Sequence, residues 1–290
     1  MDHSDKMKLT ANDIPQVTLA DGTQLPALGL GTWKMGERAG TAASEVAALE
    51  RGLDLGMTLI DTAEMYGDGG AEEIVARAIA SRRSTAFVVS KVYPQNAGAK
   101  SMVAACERSL RRLGQDCIDL YLLHWRGRIP LAETVDSFER LRTAGKIRRW
   151  GVSNFDIADM EDLHALPEGR HCAVNQVLYN LSERGIEWRL LEWCRVRRIP
   201  VMAYSPVAEG ALLTNRKLAA IAGAANVTTA QLALAWVLTR PQVIVIPKSS
   251  NVAHVDANRA AVAIHLDARV LAALDAAFPP PQNDTGLSVI

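Results

Sequence analysis

The chain has 290 residues, 49% hydrophobic and 22% charged, with 20 Gly and 12 Pro, the make-up of a globular protein and not of a disordered, collagenous or fibrous one. Lys plus Arg and Asp plus Glu both number 32, so no net field would hold the chain on phosphate backbones or anionic lipid, and neither nucleic acid nor membrane is an expected partner. No apolar run approaches the ~18 residues of a spanning helix, and residues 1–15 lack the apolar centre of a signal peptide. A cytoplasmic protein with a flexible arm over 1–14 is the expectation.

The first element is a hairpin: Val17-Thr18-Leu19, a turn at Ala20-Asp21-Gly22-Thr23, then Gln24-Leu25, with Asp-Gly supplying the positive φ angles of a tight turn. After it one rhythm repeats. Short apolar runs at 27–30, 57–60, 86–90, 118–123, 147–152, 172–176, 201–204 and 243–246 read as eight strands. Stretches 41–55, 70–81, 99–113, 131–144, 156–165, 186–198 and 228–239 carry apolar residues at helical spacing. A short extra helix is expected near 215–224, and a last helix with a Pro-rich tail from Asn258 to Ile290. Strands apolar on both faces, alternating with helices, form a parallel sheet, and eight such units close most naturally as a (β/α)8 barrel. An open doubly wound sheet has the same local signals, but its G-x-G-x-x-G fingerprint is incomplete at Gly29-Leu30-Gly31-Thr32-Trp33-Lys34. Without a linker or composition shift, 15–290 reads as one barrel domain.

The four cysteines, Cys106, Cys117, Cys172 and Cys194, are irregularly spaced with no C-x-x-C pair and read as small buried hydrophobes. His171 beside Cys172 does not suggest a metal, because strand neighbours point to opposite faces, and no metal is expected.

In a barrel, chemistry sits at the carboxyl ends of the strands. Here those ends carry Asp61-Thr62 and, soon after, Tyr66; then Lys91, His124-Trp125, Ser153-Asn154, Asn175-Gln176, Tyr204-Ser205 and Lys248-Ser249-Ser250. Alone, each has a bland reading: an Asp that caps a loop, a Tyr that packs a rim, a Lys at a solvated tip, a His satisfied in the core. Together, seven consecutive strands delivering a titratable or amide group at one end exceed what capping needs. Proton transfer to a carbonyl oxygen fits them. A tyrosine near its ordinary pKa of about 10 is a weak acid at neutrality, and a neighbouring ammonium lowers it. Lys91 can supply that charge, Asp61 can hold Lys91, His124 can orient the substrate oxygen, and Tyr66 becomes the acid.

These residues carry a family resemblance, through Gly29-Leu30-Gly31-Thr32-Trp33, Asp61-Thr62-Ala63-Glu64-Met65-Tyr66-Gly67, Leu120-Tyr121-Leu122-Leu123-His124-Trp125, Gly151-Val152-Ser153-Asn154-Phe155 and Ile246-Pro247-Lys248-Ser249-Ser250. The chain resembles the aldo-keto reductases in order from about 15 to 280. The resemblance implies a barrel that uses NADPH without a Rossmann fold, cofactor binding first, and a tetrad of Asp61, Tyr66, Lys91 and His124 reducing aldehydes and ketones. By the same resemblance Ser153, Asn154 and Gln176 would bind the nicotinamide amide, Tyr204 would stack on the ring, and Gly31 and Thr32 would line its path. Ser205 and loop 206–213 would follow the pyrophosphate. Lys248, Ser249 and Asn251 would meet the adenosine 2′-phosphate, with Asn258 at the adenine.

Two departures bear on these expectations. Six residues after Lys248, where the family usually carries Arg, stands His254, and a common Glu is replaced by Ala257. A permanently charged fork is lost, so NADPH is expected over NADH by a reduced margin, rising as pH falls through the ordinary imidazole range. The second departure is the short chain beyond Asn258, which would leave the C-terminal wall of the substrate pocket largely missing. Trp33, Tyr66, Tyr93, His124 and Trp125 would form the pocket instead, suited to a small, partly apolar carbonyl compound. Stretches 58–66, 146–151 and 253–255 are similar to bacterial members that reduce methylglyoxal, which implies small 2-oxoaldehydes as substrates.

Two rival readings share the barrel. In one it is a nicotinamide-sensing binding subunit of the channel β-subunit type. In the other it is a lyase with Lys91 as a Schiff base, a role that needs a depressed lysine pKa, whereas Asp61 would hold Lys91 charged. No obligate protein partner is expected.

Overall fold

The computed structural model describes residues 13–290. The hairpin is present as β1 (Gln16–Thr18) and β2 (Gln24–Pro26), paired antiparallel. The barrel strands are β3 (Leu30–Gly31), β4 (Leu59–Asp61), β5 (Phe87–Val92), β6 (Leu120–Leu123), β7 (Trp150–Ser153), β8 (Asn175–Leu178), β9 (Val201–Tyr204) and β10 (Val243–Val245). They pair in parallel in sequence order. The seam closes where Gly29 N donates to Val245 O (2.8 Å), Gly31 N to Pro247 O (3.0 Å) and Val245 N to Ala27 O (2.7 Å). The fold is a (β/α)8 barrel.

Around it lie α1 (Ala42–Asp54), α2 (Gly70–Ile79), α3 (Ser101–Leu113), α4 (Leu131–Thr143), α5 (Ile157–Ala165), α6 (Leu190–Val196), α7 (Arg216–Ala224), α8 (Thr229–Leu238), α9 (Val252–Ala260) and α10 (Ala268–Ala277). Their starts follow local chemistry. Asp156 caps α5, Asn215 caps α7, Asp267 caps α10, and Thr228 with Gln231 forms a capping box on α8.

Period two along the strands sorts the core. Leu59, Val89, Leu120, Leu122, Val174, Met202, Ile244 and Ile246 form one buried cluster with the hairpin's Val17, Leu19 and Leu25, which plug the amino-terminal end of the barrel. The intervening residues, such as Ile60, Val88, Tyr121, Val152, Val177 and Ala203, pack against the helices. Continuing the inward positions by two brings Asp61, Lys91, His124, Ser153, Gln176, Tyr204 and Lys248 to the opposite end. There the apolar filling gives way to polar groups.

Several strands start later than the apolar runs suggest. Met57, Ile118, Ile147 and Cys172 precede their strands yet are at most 2% exposed, so burial of the connecting loops extends the apolar pattern. The last part of the chain holds two helices, not one. In α9 the buried residues are Val255, Asn258 and Arg259, a mostly polar inner face with no apolar stripe to read. Residues 1–12 of the expected arm lie outside the described residues, and Ile14 is buried in the core. His171 ends a 3-10 turn and does not lie on a strand with Cys172. No disulfide joins the four cysteines, three of which are buried. Among the described residues no single helix is long and apolar enough to cross a membrane.

Candidate active site

At the carboxyl end of the strands a cavity of about 370 Å³ is lined by Gly31, Thr32, Trp33, Asp61, Tyr66, His124, Trp125, Ser153, Asn154, Gln176, Tyr204, Ser205 and Lys248. Beneath it Lys91 is fully buried on β5. Its ammonium donates to Asp61 Oδ2 (2.7 Å), to the carbonyl of Thr62 (2.9 Å) and to the Tyr66 hydroxyl (3.1 Å). Four residues separated in sequence by up to 30 positions thus meet around one nitrogen. Asp61 is held from its other side by Gln176, whose amide donates to Oδ1 (2.7 Å).

The electrostatics differ from expectation at Tyr66. Burial is the largest influence and raises the phenol above its ordinary pKa; Lys91 pulls it down, Asp61 pushes it up, and the balance is upward. Removing water from the phenolate costs more than the ammonium returns, so the proton stays on Tyr66 at neutral pH. For Lys91, burial opposes the charge, but Asp61 and Tyr66 outweigh it and the pKa rises. That is the opposite of what a Schiff-base lysine needs. Burial and the nearby Lys91 push His124 down to about 2, so the imidazole is neutral, and its Nδ1 is buried without a hydrogen-bond partner.

The aromatic rings form a continuous chain, edge-to-face at its first two contacts and tilted at the third. Trp33 meets Tyr66 at 5.0 Å and 74°, Tyr66 meets His124 at 5.8 Å and 72°, and His124 meets Trp125 at 5.0 Å. Tyr93, expected in the pocket, is not among the residues that line this cavity but packs against two that are. It is edge-on to Trp125 at 5.9 Å and tilted against His124 at 6.5 Å. The loop after β5 carries its ring against those two side chains.

Other expected site residues have structural duties that their positions in the sequence conceal. The Thr32 hydroxyl donates to Asp61 O (2.9 Å), tying β3 to β4. At Gly31 a Cβ would lie 2.8 Å from Ile246 O, so glycine is required by the barrel seam itself. Asn154 has φ 59° immediately after β7; its amide donates to His124 O (3.1 Å), and its Oδ1 accepts from the Tyr204 hydroxyl (2.9 Å). Lys248 also lines the cavity, and burial lowers its pKa.

Ser249, Asn251, His254 and Asn258 lie outside the cavity lining. Asn251 caps α9 by accepting from Ala253 N (2.8 Å) and His254 N (3.3 Å), and Ser249 Oγ bonds the Asn251 backbone. His254 is exposed on the first turn of α9, whereas Asn258 is buried in the same helix.

Sequence reasoning also passed over three groups at the cavity. Lys34 follows Trp33 with φ 64°, and its ammonium is 3.5 Å from Glu209 Oε2, joining the loops after β3 and β9. Their separation of 175 positions hides the pair. The third is Ile290, from the C-terminal tail. Buried Arg184 fixes the end of α10 by donating to Asp275 (2.8 Å) and to Phe278 O (2.6 Å), and the tail then packs beside Gly185. That path returns the chain to the cavity.

Away from this site, Glu139, Glu168 and His171 offer three ligand atoms within 4.8 Å of one another. Glu139 is already engaged there by the Trp150 indole (2.7 Å) and by Arg142.

A barrel whose mouth joins a buried lysine, an aspartate, a tyrosine and a neutral histidine has the layout of a carbonyl oxidoreductase. The Aldo/keto reductase family model matches residues 27–278, and the chain belongs to that family. It is 51% identical over 279 residues to the methylglyoxal reductase YeaE of Escherichia coli, covering 94% of this chain and 98% of that protein. It is 36% identical to the glyoxal reductase of Bacillus subtilis, over 80% and 82% of the two chains. A crystal structure of an aldo-keto reductase from Klebsiella pneumoniae in complex with NADPH superposes with a TM-score of 0.93 at 51% identity, covering 96% of this chain and 99% of that one.

Proposed function

We propose that this enzyme reduces small aldehydes, above all 2-oxoaldehydes such as methylglyoxal, to alcohols with NADPH, using Tyr66 as the general acid. The observation that carries the reading is the single buried ammonium of Lys91 bonded at once to Asp61 and to the Tyr66 hydroxyl. The donor set suits a nicotinamide nucleotide: the amide of Asn154 and the hydroxyl of Ser153, the flat ring of Tyr204, and two lysines, Lys34 and Lys248, for its phosphates. Bound there, NADPH supplies the hydride that the carbonyl carbon accepts.

The protein's own part is proton chemistry and orientation. As negative charge develops on the carbonyl oxygen, the Tyr66 O–H bond breaks and its proton completes the alcohol. The phenolate left behind is stabilised by Lys91, which Asp61 keeps charged and Gln176 helps to fix. Tyr66 therefore has its high pKa while it waits, and the adjacent ammonium limits the cost of giving up the proton. His124, neutral and wedged between Tyr66 and Trp125, offers one ring N–H to the same oxygen. With Nδ1 enclosed and unpartnered, Nε2–H is the tautomer suited to that role. Similarity to reductases of methylglyoxal and glyoxal supports a small dicarbonyl substrate, and the aromatic walls suit its apolar end. Lys248 supports NADPH over NADH, and the exposed His254, without a permanent charge, supports only a modest margin.

The test is the initial rate of NADPH and NADH oxidation with methylglyoxal, nitrobenzaldehyde and a ketose, on wild type and Tyr66→Phe. Aldehyde turnover with NADPH preferred is expected, and Tyr66→Phe should lower kcat by about 10²- to 10⁴-fold while NADPH affinity stays near wild type. Equal loss of turnover and NADPH affinity in Tyr66→Phe would assign Tyr66 a structural part and overturn the mechanism.

A further inference from the structure

Glu64 stands two residues before Tyr66 and is 7% exposed, yet the proton chemistry does not use it. Its Oε1 accepts from the backbone N–H of Tyr93 (2.8 Å) and from the Asn96 side-chain amide (3.0 Å). Both donors belong to the loop that follows β5. The other oxygen, Oε2, is 3.5 Å from Arg108, a side chain 42% exposed on α3. A nearly buried carboxylate whose closest contacts are two donors from one loop fixes that loop. The loop brings Tyr93 against Trp125 and His124.

Resting on the reading of Tyr66 and His124 above, we propose that Glu64 is a positioning residue. It couples the loop bearing the general acid to the loop bearing Tyr93, and through Tyr93 it sets the orientation of His124 and Trp125 toward the substrate. The coupling runs in two steps. Glu64 Oε1 anchors the first residue beyond β5, and the Tyr93 ring then blocks rotation of the two rings that line the cavity. Charge is not what the loop requires, because both donors are satisfied by any carbonyl-like oxygen at Oε1. A glutamine retains that oxygen, and an alanine removes it, leaving the Tyr93 N–H and the Asn96 amide without their acceptor.

The experiment compares Glu64→Ala, Glu64→Gln and Arg108→Ala with wild type in two measurements. One is amide hydrogen exchange of the segment containing Tyr93 and Asn96, and the other is kcat and KM for methylglyoxal and nitrobenzaldehyde beside NADPH affinity by fluorescence titration. Glu64→Ala is expected to speed exchange in that segment and lower kcat/KM by about tenfold with NADPH affinity unchanged; Glu64→Gln should restore both, and Arg108→Ala should alter neither. Unchanged exchange in Glu64→Ala would overturn the anchoring. Faster exchange with wild-type kinetics, or a loss that Glu64→Gln does not rescue, would overturn the positioning role. Should wild type reduce no aldehyde, the reaction assigned to Tyr66 fails, and the positioning role falls with it while the exchange measurement still decides the anchoring.

Discussion

Lys91 illustrates how one buried charge becomes useful only with its partners in place. Alone, a fully enclosed ammonium would lose its proton; with Asp61 and Tyr66 at hydrogen-bonding distance it is held charged, and the tyrosine is held protonated by the same burial. His124 shows the complementary case, a ring kept neutral because neither water nor an anion compensates its charge. The unfolded chain binds a proton at histidine near pH 6.5, whereas the folded ring resists protonation until about 2, so this group's contribution to stability is intact above about 6.5 and is lost as pH falls below it. His124→Gln removes the titration. Urea unfolding should therefore show the stability of wild type relative to His124→Gln falling by about 2 kcal/mol between pH 7 and pH 5. A difference that is constant across that range would mean that the ring protonates in the folded protein without penalty.

At the scale of elements, the governing feature is strand periodicity. Inward residues alternate along every strand, so the same register that fills the barrel with Leu59, Val89, Leu122 and Met202 delivers Asp61, Lys91, His124 and Tyr204 two steps later. That register depends on how β3 meets β10. Gly31 carries the seam: its N–H bonds Pro247 O, and a methyl at its Cα would press on Ile246 O at 2.8 Å. Gly31→Ala should cost about 1–3 kcal/mol of stability, read as a lowered Tm, because the obstacle is backbone and cannot rotate aside. A wild-type Tm would show that the seam opens freely.

Across the whole molecule, the tail links distant parts of the fold to the cavity. Arg184, 5% exposed and stacked on Trp236 at 4.9 Å, gathers Glu187, Asp275 and the Phe278 carbonyl, and this sets the direction in which the chain leaves α10. Ile290 then reaches the cavity although most of its own surface faces solvent. Removing residues 288–290 should raise KM for small aldehydes by only about threefold and leave Tm unchanged, since little apolar area is lost. A fall in NADPH affinity with aldehyde KM unchanged would mean that the tail braces the cofactor side of the cavity instead of the substrate side.

Much of this was legible in the chain by itself. Eight apolar runs separated by amphipathic stretches specify parallel strands alternating with helices, because alternation and helical spacing are local properties, and the polar residues that follow the runs mark the chemical end; closure into a barrel is settled by the long-range seam between Gly29 and Val245. What the linear order could not contain is the outcome of competing long-range forces. The direction of the Tyr66 shift depends on how completely the site is enclosed, since desolvation outweighs a charge 3.1 Å away. Tyr93 packs against Trp125 and His124 from a loop bonded to Glu64, α9 buries polar residues without an apolar stripe, and Ile290 returns to the mouth past the contacts of Arg184. Each of these rests on contacts between residues far apart in sequence, where periodicity is silent and only packing in three dimensions selects the arrangement.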